Sequence, residues 1–427
     1  MNKVFYEHMK RNILLIFLVA AVLPYAVSCT KMDLSNDSSK IIAGDPVYSQ
    51  EGLINVPDNL QSVNWAVNSF TFELYKEIYA QTGGESMVVA PFAAANALSL
   101  LSEGAGGETA AQMLRPLKFA GFTSANIQTY FNLMESGLAK VDEESNVKIA
   151  NSLWIDKGQT YASSFSTAAT FYRSNPGNAD FTGGKAADDV NAWIREKTGS
   201  VIPQAVSKFS PEDASAAVNA VYFKSKWRGF HFNETKTEKF KGADGVSRDV
   251  QMMHVSGAFR YSAYSNFEMI RLPFGNGAYV MDVLLPTEGY PFDKAVQELS
   301  ANVYTSLNRS VVDAEITFAM PKFTQETRLD LSDVFAAMDV TDAFDPEKAD
   351  FSGMYASGSH NLGSVRQSAK LEIDEEGLSA SSVTLIISGG NGDPSVKRLD
   401  LTADRPFFYI VKERGSEAIL LMGQKTK

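Results

Sequence analysis

Cysteine and histidine are both scarce in this sequence. The chain has 427 residues, of which one is a cysteine, Cys29, and four are histidines. A single cysteine cannot form an internal disulfide, so burial of an apolar core must stabilise the fold. None of His8, His231, His254 and His360 has a second histidine or a carboxylate at a metal-ligand interval. The sequence therefore predicts no metal site and no cofactor.

Excess positive charge is also missing. The formal net charge is −11, and the lysines and arginines are dispersed along the chain. No helical face is rich in basic residues, as a surface that binds phosphate backbones or heparin would be. We therefore expect neither a nucleic-acid partner nor a heparin site.

The N-terminus carries an apolar run, Ile13 to Val27, that follows a positively charged start and is short for a membrane span. Small residues precede Cys29, an order that resembles bacterial lipoprotein signals, although Ala26 stands where leucine is usual. The resemblance implies that residues 1–28 are a signal peptide and that Cys29 becomes the lipid-bearing first residue. An ordinary signal peptide or an uncleaved anchor are the alternatives.

Downstream of this signal, the sequence predicts a tether and a folded body. Residues 29–60 lack helical or strand periodicity and are interpreted as a polar tether. Residues 61–427 are long enough for one large domain or two ordinary ones. A lipid on Cys29 would place the body at the cell envelope, on the periplasmic or the surface face of the outer membrane. Without the lipid, the protein would be extracellular.

Apolar periodicity predicts several helices and strands in the body. Three- and four-residue spacing predicts helices over 63–78, 190–194 and 331–338, and the uniformly apolar run 93–101 predicts a buried helix. Alternation predicts strands over 147–155 and 316–320, and the runs 407–411 and 418–422 predict a hairpin. Strands and helices do not alternate regularly, so we expect a mixed α+β fold with largely antiparallel sheets.

Two short motifs raise the possibility of an acyl-transfer enzyme. Ser145 and Lys148 fit S-x-x-K, and Lys197-Thr198-Gly199 fits K-T-G, a pair that resembles penicillin-binding proteins. The context disagrees, because Ser145 leads into a predicted strand and Gly199 is a natural C-cap of a predicted helix. This enzyme is kept as a remote alternative.

One stretch near the C-terminus gives conflicting signals. From Leu378 to Ile387 the chain has no charge and no proline, which is typical of a central strand. The same stretch begins at Gly377 and ends in glycine-rich turn chemistry around Asn391 and Gly392. These local signals do not decide between a strand and an exposed loop.

Motifs over nearly all of residues 61–427 resemble the serpin family, and they occur in the family's order. They are Ala90-Pro91-Phe92-Ala93, Asn219 to Lys224 with Trp227, Val250 to Met253, Leu284-Leu285-Pro286, Met320 to Phe323, Ala349 to Gly353, Glu375-Glu376-Gly377 and Asp404 to Phe407. The resemblance implies a multi-sheet α+β fold with about eight or nine helices. It also implies a reactive loop at about 375–400 that is exposed in a metastable fold.

The resemblance further implies suicide inhibition of a serine or cysteine protease. In this family the protease cleaves the loop, which then inserts into the main sheet as an extra strand. We expect a monomer without catalytic groups of its own. The alternative is a non-inhibitory serpin that acts as a binding or structural protein.

The loop carries an implied hinge and an implied bait residue. The hinge comprises Glu375, Glu376, Gly377, Leu378 and Ala380, with Leu378 where inhibitory members usually have threonine or serine. Family spacing places the scissile bond between Asn391 and Gly392. A shifted register would offer Ile387, Ser388 or Gly390 to elastase-like enzymes, and Lys397-Arg398 would attract trypsin-like proteases too late in the loop for productive insertion.

The chemistry of the loop itself permits insertion. Alternation would distribute residues 378–387 over both faces of a sheet without burying a charge. A dozen or so new backbone hydrogen bonds at ~1 kcal/mol each would give on the order of 10 kcal/mol. We therefore expect insertion to be favourable, with Leu378 making it slower.

The resemblance also implies two clusters that control sheet opening. At the middle of the main sheet, the family's two serines, asparagine and histidine are replaced by Ala90, Ala93, Asn219 and Gln367, with Gln367 as a possible partner of Asn219. At the top, Trp227, Lys322 and Glu375 match the family, and a Lys322–Glu375 ion pair is expected to hold the start of the loop.

Overall fold

The computed structural model describes residues 52–210, 213, 215–378 and 397–427. The predicted signal peptide, Cys29 and residues 29–51 of the predicted tether lie outside the described residues. So do Ala380 of the hinge and the predicted scissile bond between Asn391 and Gly392.

Nine α-helices occur in the described part of the chain. They are α1 (Gln61–Thr82), α2 (Pro91–Gly104), α3 (Gly107–Leu114), α4 (Ser124–Leu138), α5 (Ser163–Phe171), α6 (Ala186–Thr198), α7 (Phe292–Glu298), α8 (Ala301–Arg309) and α9 (Ser332–Ala337). The predicted ends of two helices are confirmed, because Gly83 and Gly199 follow α1 and α6 in the left-handed conformation, with φ of 66° and 63°.

The strands are numbered β1 to β16. They are β1 (Met87–Val89), β2 (Asn146–Asp156), β3 (Ser174–Ala179), β4 (Ser215–Lys224), β5 (Trp227–Arg228), β6 (Glu234–Lys241), β7 (Ser247–Tyr264), β8 (Phe267–Pro273), β9 (Tyr279–Pro286), β10 (Val312–Pro321), β11 (Phe323–Asp330), β12 (Ser364–Ile373), β13 (Gly377–Leu378), β14 (Lys397–Thr402), β15 (Phe407–Glu413) and β16 (Ile419–Lys425). The predicted hairpin is β15 with β16.

Three sheets assemble from these strands. The five-stranded sheet has the order β11-β12-β4-β2-β3, and β5 pairs with β13 in a separate two-stranded sheet. In the larger sheet the path is β1-β16-β15-β9-β8-β7-β10-β14, with β6 also paired to β7. Most pairings are antiparallel, and the parallel pairs are β2·β3, β4·β12, β5·β13 and β10·β14. The predicted α+β class is therefore confirmed.

The five-stranded sheet separates two apolar cores. Along β4, Ala217, Val221 and Phe223 face the main core with α2, whereas Val218 and Tyr222 face a smaller core with α6. Alternation along the strand produces this division, because successive side chains point to opposite faces. Helix α2 is buried along almost its whole length, as its uniformly apolar sequence predicts.

The packed body begins earlier than the predicted boundary at residue 61. Ile54 and Val56 are buried in the main core, and the Ile54 N–H donates to Glu413 Oε1 at 3.3 Å. Two apolar residues in a polar stretch were too weak a periodic signal to predict this. Residues 53–60 therefore belong to the body rather than to the tether. No helix of the described residues combines the length and apolarity needed to cross a bilayer.

Candidate functional site

The site is the place in the five-stranded sheet where a further strand could enter. We call the parallel pair β4·β12 the seam; its register runs from Ser364 opposite Ala216 to Glu372 opposite Lys224. A chain that continues from the end of β12 and folds back runs antiparallel to β12. Because β4 is parallel to β12, the same chain would also be antiparallel to β4. Insertion at the seam would thus replace one parallel pairing by two antiparallel ones, which are slightly more stable per residue.

The hinge leaves the sheet beside Trp227. The Trp227 indole N–H donates to the Asp374 carbonyl at 2.7 Å, and its backbone N–H donates to the Glu376 carbonyl at 3.0 Å. Gly377 and Leu378 then pair with Trp227 and Arg228 as β13·β5. Trp227 is fully buried and stacks on Phe274, with ring centroids 4.5 Å apart, so the start of the loop is anchored to the core.

Ion pairs surround the same hinge. The expected pair is present, with Lys322 Nζ 2.6 Å from Glu375 Oε2, and Thr235 Oγ1 donates to the other carboxylate oxygen at 3.0 Å. The hydrogen bond from Lys322 lowers the pKa of Glu375, because it stabilises the charged carboxylate. Lys224 lies 3.2 Å from the Asp374 carboxylate. These contacts hold the hinge carboxylates in place at neutral pH.

The middle of the seam differs from the expectation in one respect. Gln367 lies opposite Asn219 in register, but within the described part of the chain their side chains share no hydrogen bond. Gln367 instead accepts from the Ala90 N–H and donates to the Ala90 carbonyl, both at 2.9 Å. Asn219 donates to Asn151 Oδ1 at 2.8 Å. The expected partnership is wrong, because the glutamine reaches the backbone before α2, and Ala93 offers no polar atom in place of the family's serine.

The C-terminal boundary of the loop is earlier than predicted. Lys397 and Arg398 belong to β14, the edge strand that pairs in parallel with β10. Arg398 Nε lies 2.7 Å from Glu315 Oε2, and Lys397 Nζ lies 4.2 Å from the centroid of the Tyr261 ring. The predicted loop limit near 400 is therefore wrong. A strand that is paired in a sheet is a poor protease substrate, which disfavours Lys397-Arg398 as a trypsin-like cleavage site.

The residues of the acyl-transfer alternative do not form a catalytic site. Ser145 precedes β2 and donates to Asp142 and, at 2.7 Å, to Ser225 rather than to Lys148. Gly199 is a helix C-cap, as the sequence predicts. Among the described residues, no group of three or more His, Cys, Asp or Glu is placed to bind a metal.

Three polar residues in and beneath the five-stranded sheet were missed in the sequence. Asn151 on β2 bridges Asn219 to Glu135 of α4, since its Nδ2 donates to Glu135 Oε1 at 2.8 Å. Asn96 of α2 donates to the same oxygen at 2.9 Å. Glu135 follows Ile127 and Phe131 at four-residue spacing, so its position on the apolar stripe of α4 was a signal for burial.

Comparison with known proteins identifies the family. Residues 65–427 match the family described as Serpin (serine protease inhibitor). The chain is a serpin. It is 30% identical over 364 residues to an uncharacterised serpin-like protein of Thermococcus kodakarensis, an alignment that covers 84% of each chain. It is 26% identical to the leukocyte elastase inhibitor of Bos taurus, covering 86% of this chain and 99% of that one.

A solved serpin structure agrees with the same fold. Native protease nexin-1, crystallised with heparin, superposes with a TM-score of 0.75 at 25% identity, covering 86% of this chain and 100% of that one. The serpin fold predicted from the motifs is therefore confirmed. The seam lies in the five-stranded sheet, β11-β12-β4-β2-β3, which we call the main sheet.

Proposed function

We propose that this serpin is a suicide inhibitor of a serine or cysteine protease, and that its cleaved loop inserts at the seam. The observation that carries the proposal is the parallel pairing of β4 and β12, with the hinge leaving directly from the end of β12. A strand that folds back from this hinge gains antiparallel partners on both sides. Membership of a family of protease inhibitors supports the proposal further.

The covalent step uses the chemistry of the protease. Its serine or cysteine attacks the carbonyl of the bait residue, the peptide C–N bond breaks, and the new amine at the next residue takes the proton. The N-terminal part of the loop is then held as an ester or thioester. Insertion would carry the attached protease along the sheet and distort its oxyanion hole, so that water no longer releases it. On family spacing, Asn391 is the bait and Gly392 carries the new amine.

The seam contains polar groups that the closed sheet does not satisfy. The side chains of Asn219, Ser364 and Ser368 each have a buried oxygen without a partner among the described residues. Unpaired buried polar atoms destabilise a fold. A sheet that opens here would expose these three side-chain oxygens to water.

Incubation with a panel of serine and cysteine proteases tests the proposal. We expect an SDS-stable complex with at least one of them, and mass spectrometry of the released C-terminal peptide would identify the bait residue. Cleavage by every protease without a complex would contradict inhibition. That result would favour the non-inhibitory serpin, for which Leu378 and the altered polar cluster at the middle of the sheet are the arguments.

We also propose that the protein is anchored at the cell envelope through a lipid on Cys29. The support is the N-terminal sequence, in which a charged start and an apolar run precede the cysteine. Expression of the full chain with labelled palmitate should label the protein, and Cys29→Ser should abolish the label. Labelling of the Cys29→Ser variant would contradict the assignment.

A further inference from the structure

A buried carboxylic acid lies beneath the main sheet. Glu135 of α4 is 5% exposed, and two amide groups from different elements, Asn96 on α2 and Asn151 on β2, donate to the same oxygen. Burial raises the pKa of Glu135 to about 8, despite opposing effects of the two amides and of Arg173. Burial therefore favours the neutral form of this acid in the closed sheet.

Glu135 connects to a strand of the seam through one intermediate. Asn151 Nδ2 donates to Glu135, and Asn151 Oδ1 accepts from Asn219 of β4. The other strand of the seam, β12, is held separately by the two hydrogen bonds between Gln367 and Ala90. Each strand of the seam is thus bound to the helical layer beneath the sheet by its own polar contact.

A small cavity adjoins this connection. It lies between α2 and strands β2, β3 and β4, and its lining includes Asn96, Asn151, Ser174 and Asn219. Asn96 Oδ1, Ser174 Oγ and Asn219 Oδ1 are buried without a partner among the described residues. These atoms could bind water that enters when the sheet separates from α2.

Few charged groups act on Glu135. Exposed Arg173, before β3, is the cation that favours its ionised form, and its guanidinium also donates to Ser136 Oγ at 3.0 Å. Tyr279 of β9 is a titratable group that also interacts with Glu135; burial raises the Tyr279 pKa, and the charges of Glu413, Asp142 and Glu135 raise it further. On α2 and β2 the facing groups are the uncharged amides of Asn96 and Asn151. No partner among these is close enough to pair with a carboxylate as a full ion pair.

We propose that Glu135 is a positioning residue joined to the seam through Asn151 and Asn219, that its burial beneath the closed sheet favours the closed seam while the acid is protonated, and that opening of the seam hydrates the acid and releases its proton. We call this coupling between Glu135 and the seam the lock. It deepens the proposed function, because it affects inhibition only if the loop inserts at the seam.

The sign of the pH effect follows from linkage. The native pKa lies above the ordinary value of 4.5, so the stability that Glu135 contributes is complete below pH 4.5 and is lost as the pH rises through about 8. If the open state hydrates Glu135 fully, the opening equilibrium becomes about tenfold more favourable per pH unit within that window. Above pH 8 no further increase is expected.

Hydrogen–deuterium exchange on the full chain tests the lock. The amides of β4 and β12 are followed between pH 5 and 9 in the wild type and in Glu135→Gln, which keeps the accepting oxygen but cannot ionise. Comparison at each pH cancels the intrinsic pH dependence of exchange. We expect the wild-type protection, relative to the variant, to fall by up to about tenfold per pH unit between pH 5 and 8 and to level off above. Equal profiles in the two proteins would overturn the proposal.

Glu413→Gln is the matched control. Glu413 is also a buried carboxyl whose pKa is raised by burial, but it binds the backbone of Ile54, Gly415 and Ser416, away from the seam. We expect this variant to retain the wild-type pH profile at β4 and β12, and loss of that profile in Glu413→Gln would count against a specific role of Glu135.

The exchange experiment needs no protease, so its outcome is independent of the proposed inhibition. Equal profiles of the wild type and Glu135→Gln, in a chain that forms protease complexes, would reject the lock alone. A pH-dependent profile in a chain that forms none would retain the lock and reject the inhibitor.

Discussion

The side-chain amide of Gln367 forms two hydrogen bonds with the backbone of one residue, Ala90, which precedes helix α2. Because Gln367 lies on β12, this contact fixes one strand of the seam to the layer beneath it. Both backbone groups of Ala90 are buried. The glutamine thus satisfies the Ala90 N–H, which would otherwise be unpaired, and adds a second donor to the Ala90 carbonyl, which also accepts from the Ala94 N–H at 3.1 Å.

Gln367→Ala should destabilise the closed sheet. Loss of the amide leaves the Ala90 N–H without a partner, at a cost of roughly 1–3 kcal/mol, reduced where water can enter, whereas the Ala90 carbonyl keeps its hydrogen bond from the Ala94 N–H. Urea unfolding should show a lower midpoint, and exchange should show faster opening of β12. Gln325→Ala is the control, since this side chain on β11 donates to the backbone carbonyls of Ser86 and Glu326, outside the seam. An equal loss of β12 protection in both variants would show that the Ala90 contact is not specific to opening.

Lys322→Gln should loosen the hinge with little effect on overall stability. The ion pair with Glu375 is partly exposed, and such pairs contribute at most about 1 kcal/mol. We expect the free energy of unfolding to change by less than that. The inhibitory activity proposed above should be lost faster on storage of the intact protein, because the start of the loop is released. Lys239→Gln removes the 2.8 Å pair with Asp249, away from the hinge, and should not change the rate. An unchanged rate in Lys322→Gln would contradict a role of the pair in holding the loop.

If the protein inhibits as proposed, Leu378→Arg should convert it from an inhibitor into a substrate. An inserted strand buries this position, and an unpaired buried charge is costly. The variant should be cleaved by the target protease without forming the SDS-stable complex. Leu378→Thr is the matched control, and we expect it to form the complex at least as efficiently as the wild type. Equal complex formation by the arginine variant would mean that residue 378 does not enter the sheet.

Cleavage near Asn391 should raise the melting temperature. A gain on the order of 10 kcal/mol from new strand pairing corresponds to a rise of roughly 10–20 °C for a domain of this size. Scanning calorimetry of the intact and nicked chains, at one protein concentration and one scan rate, measures the difference. A nick that leaves the transition unchanged would show that the loop has not inserted.

Much of the fold could be predicted because local signals agreed with the tertiary structure. The apolar stripe of α1 ends at Gly83, and the uniformly apolar α2 lies in the core, as each pattern indicates. The Lys322–Glu375 pair was also predictable, although only from the family motif, because the two residues are 53 positions apart.

Long-range choices among equivalent polar partners could not be predicted. Gln367 could have bonded to Asn219 across the seam, and only the position of the chain before α2 makes Ala90 the partner. Asn151 and Ser152 are neighbours on β2, so alternation places them on opposite faces of the sheet. Which of the two faces α4 is determined only when the sheet packs, and it is Asn151. The seam could not be predicted from local patterns either, because it depends on the long-range pairing of β12 with β4.

The position of β14 determines what an inhibited complex would contain. Its residues are paired along β10, and β15 and β16 lie within the same large sheet, between β9 and β1. After the bait bond breaks, the downstream peptide would therefore remain non-covalently seated in its original place. In native solution the inhibited complex would contain three polypeptides: the protease, the N-terminal part of the serpin that is covalently bound to it, and the downstream peptide. Boiling in detergent would dissociate the downstream peptide. A conjugate band lighter than the sum of the two parent masses is the expected electrophoretic signature.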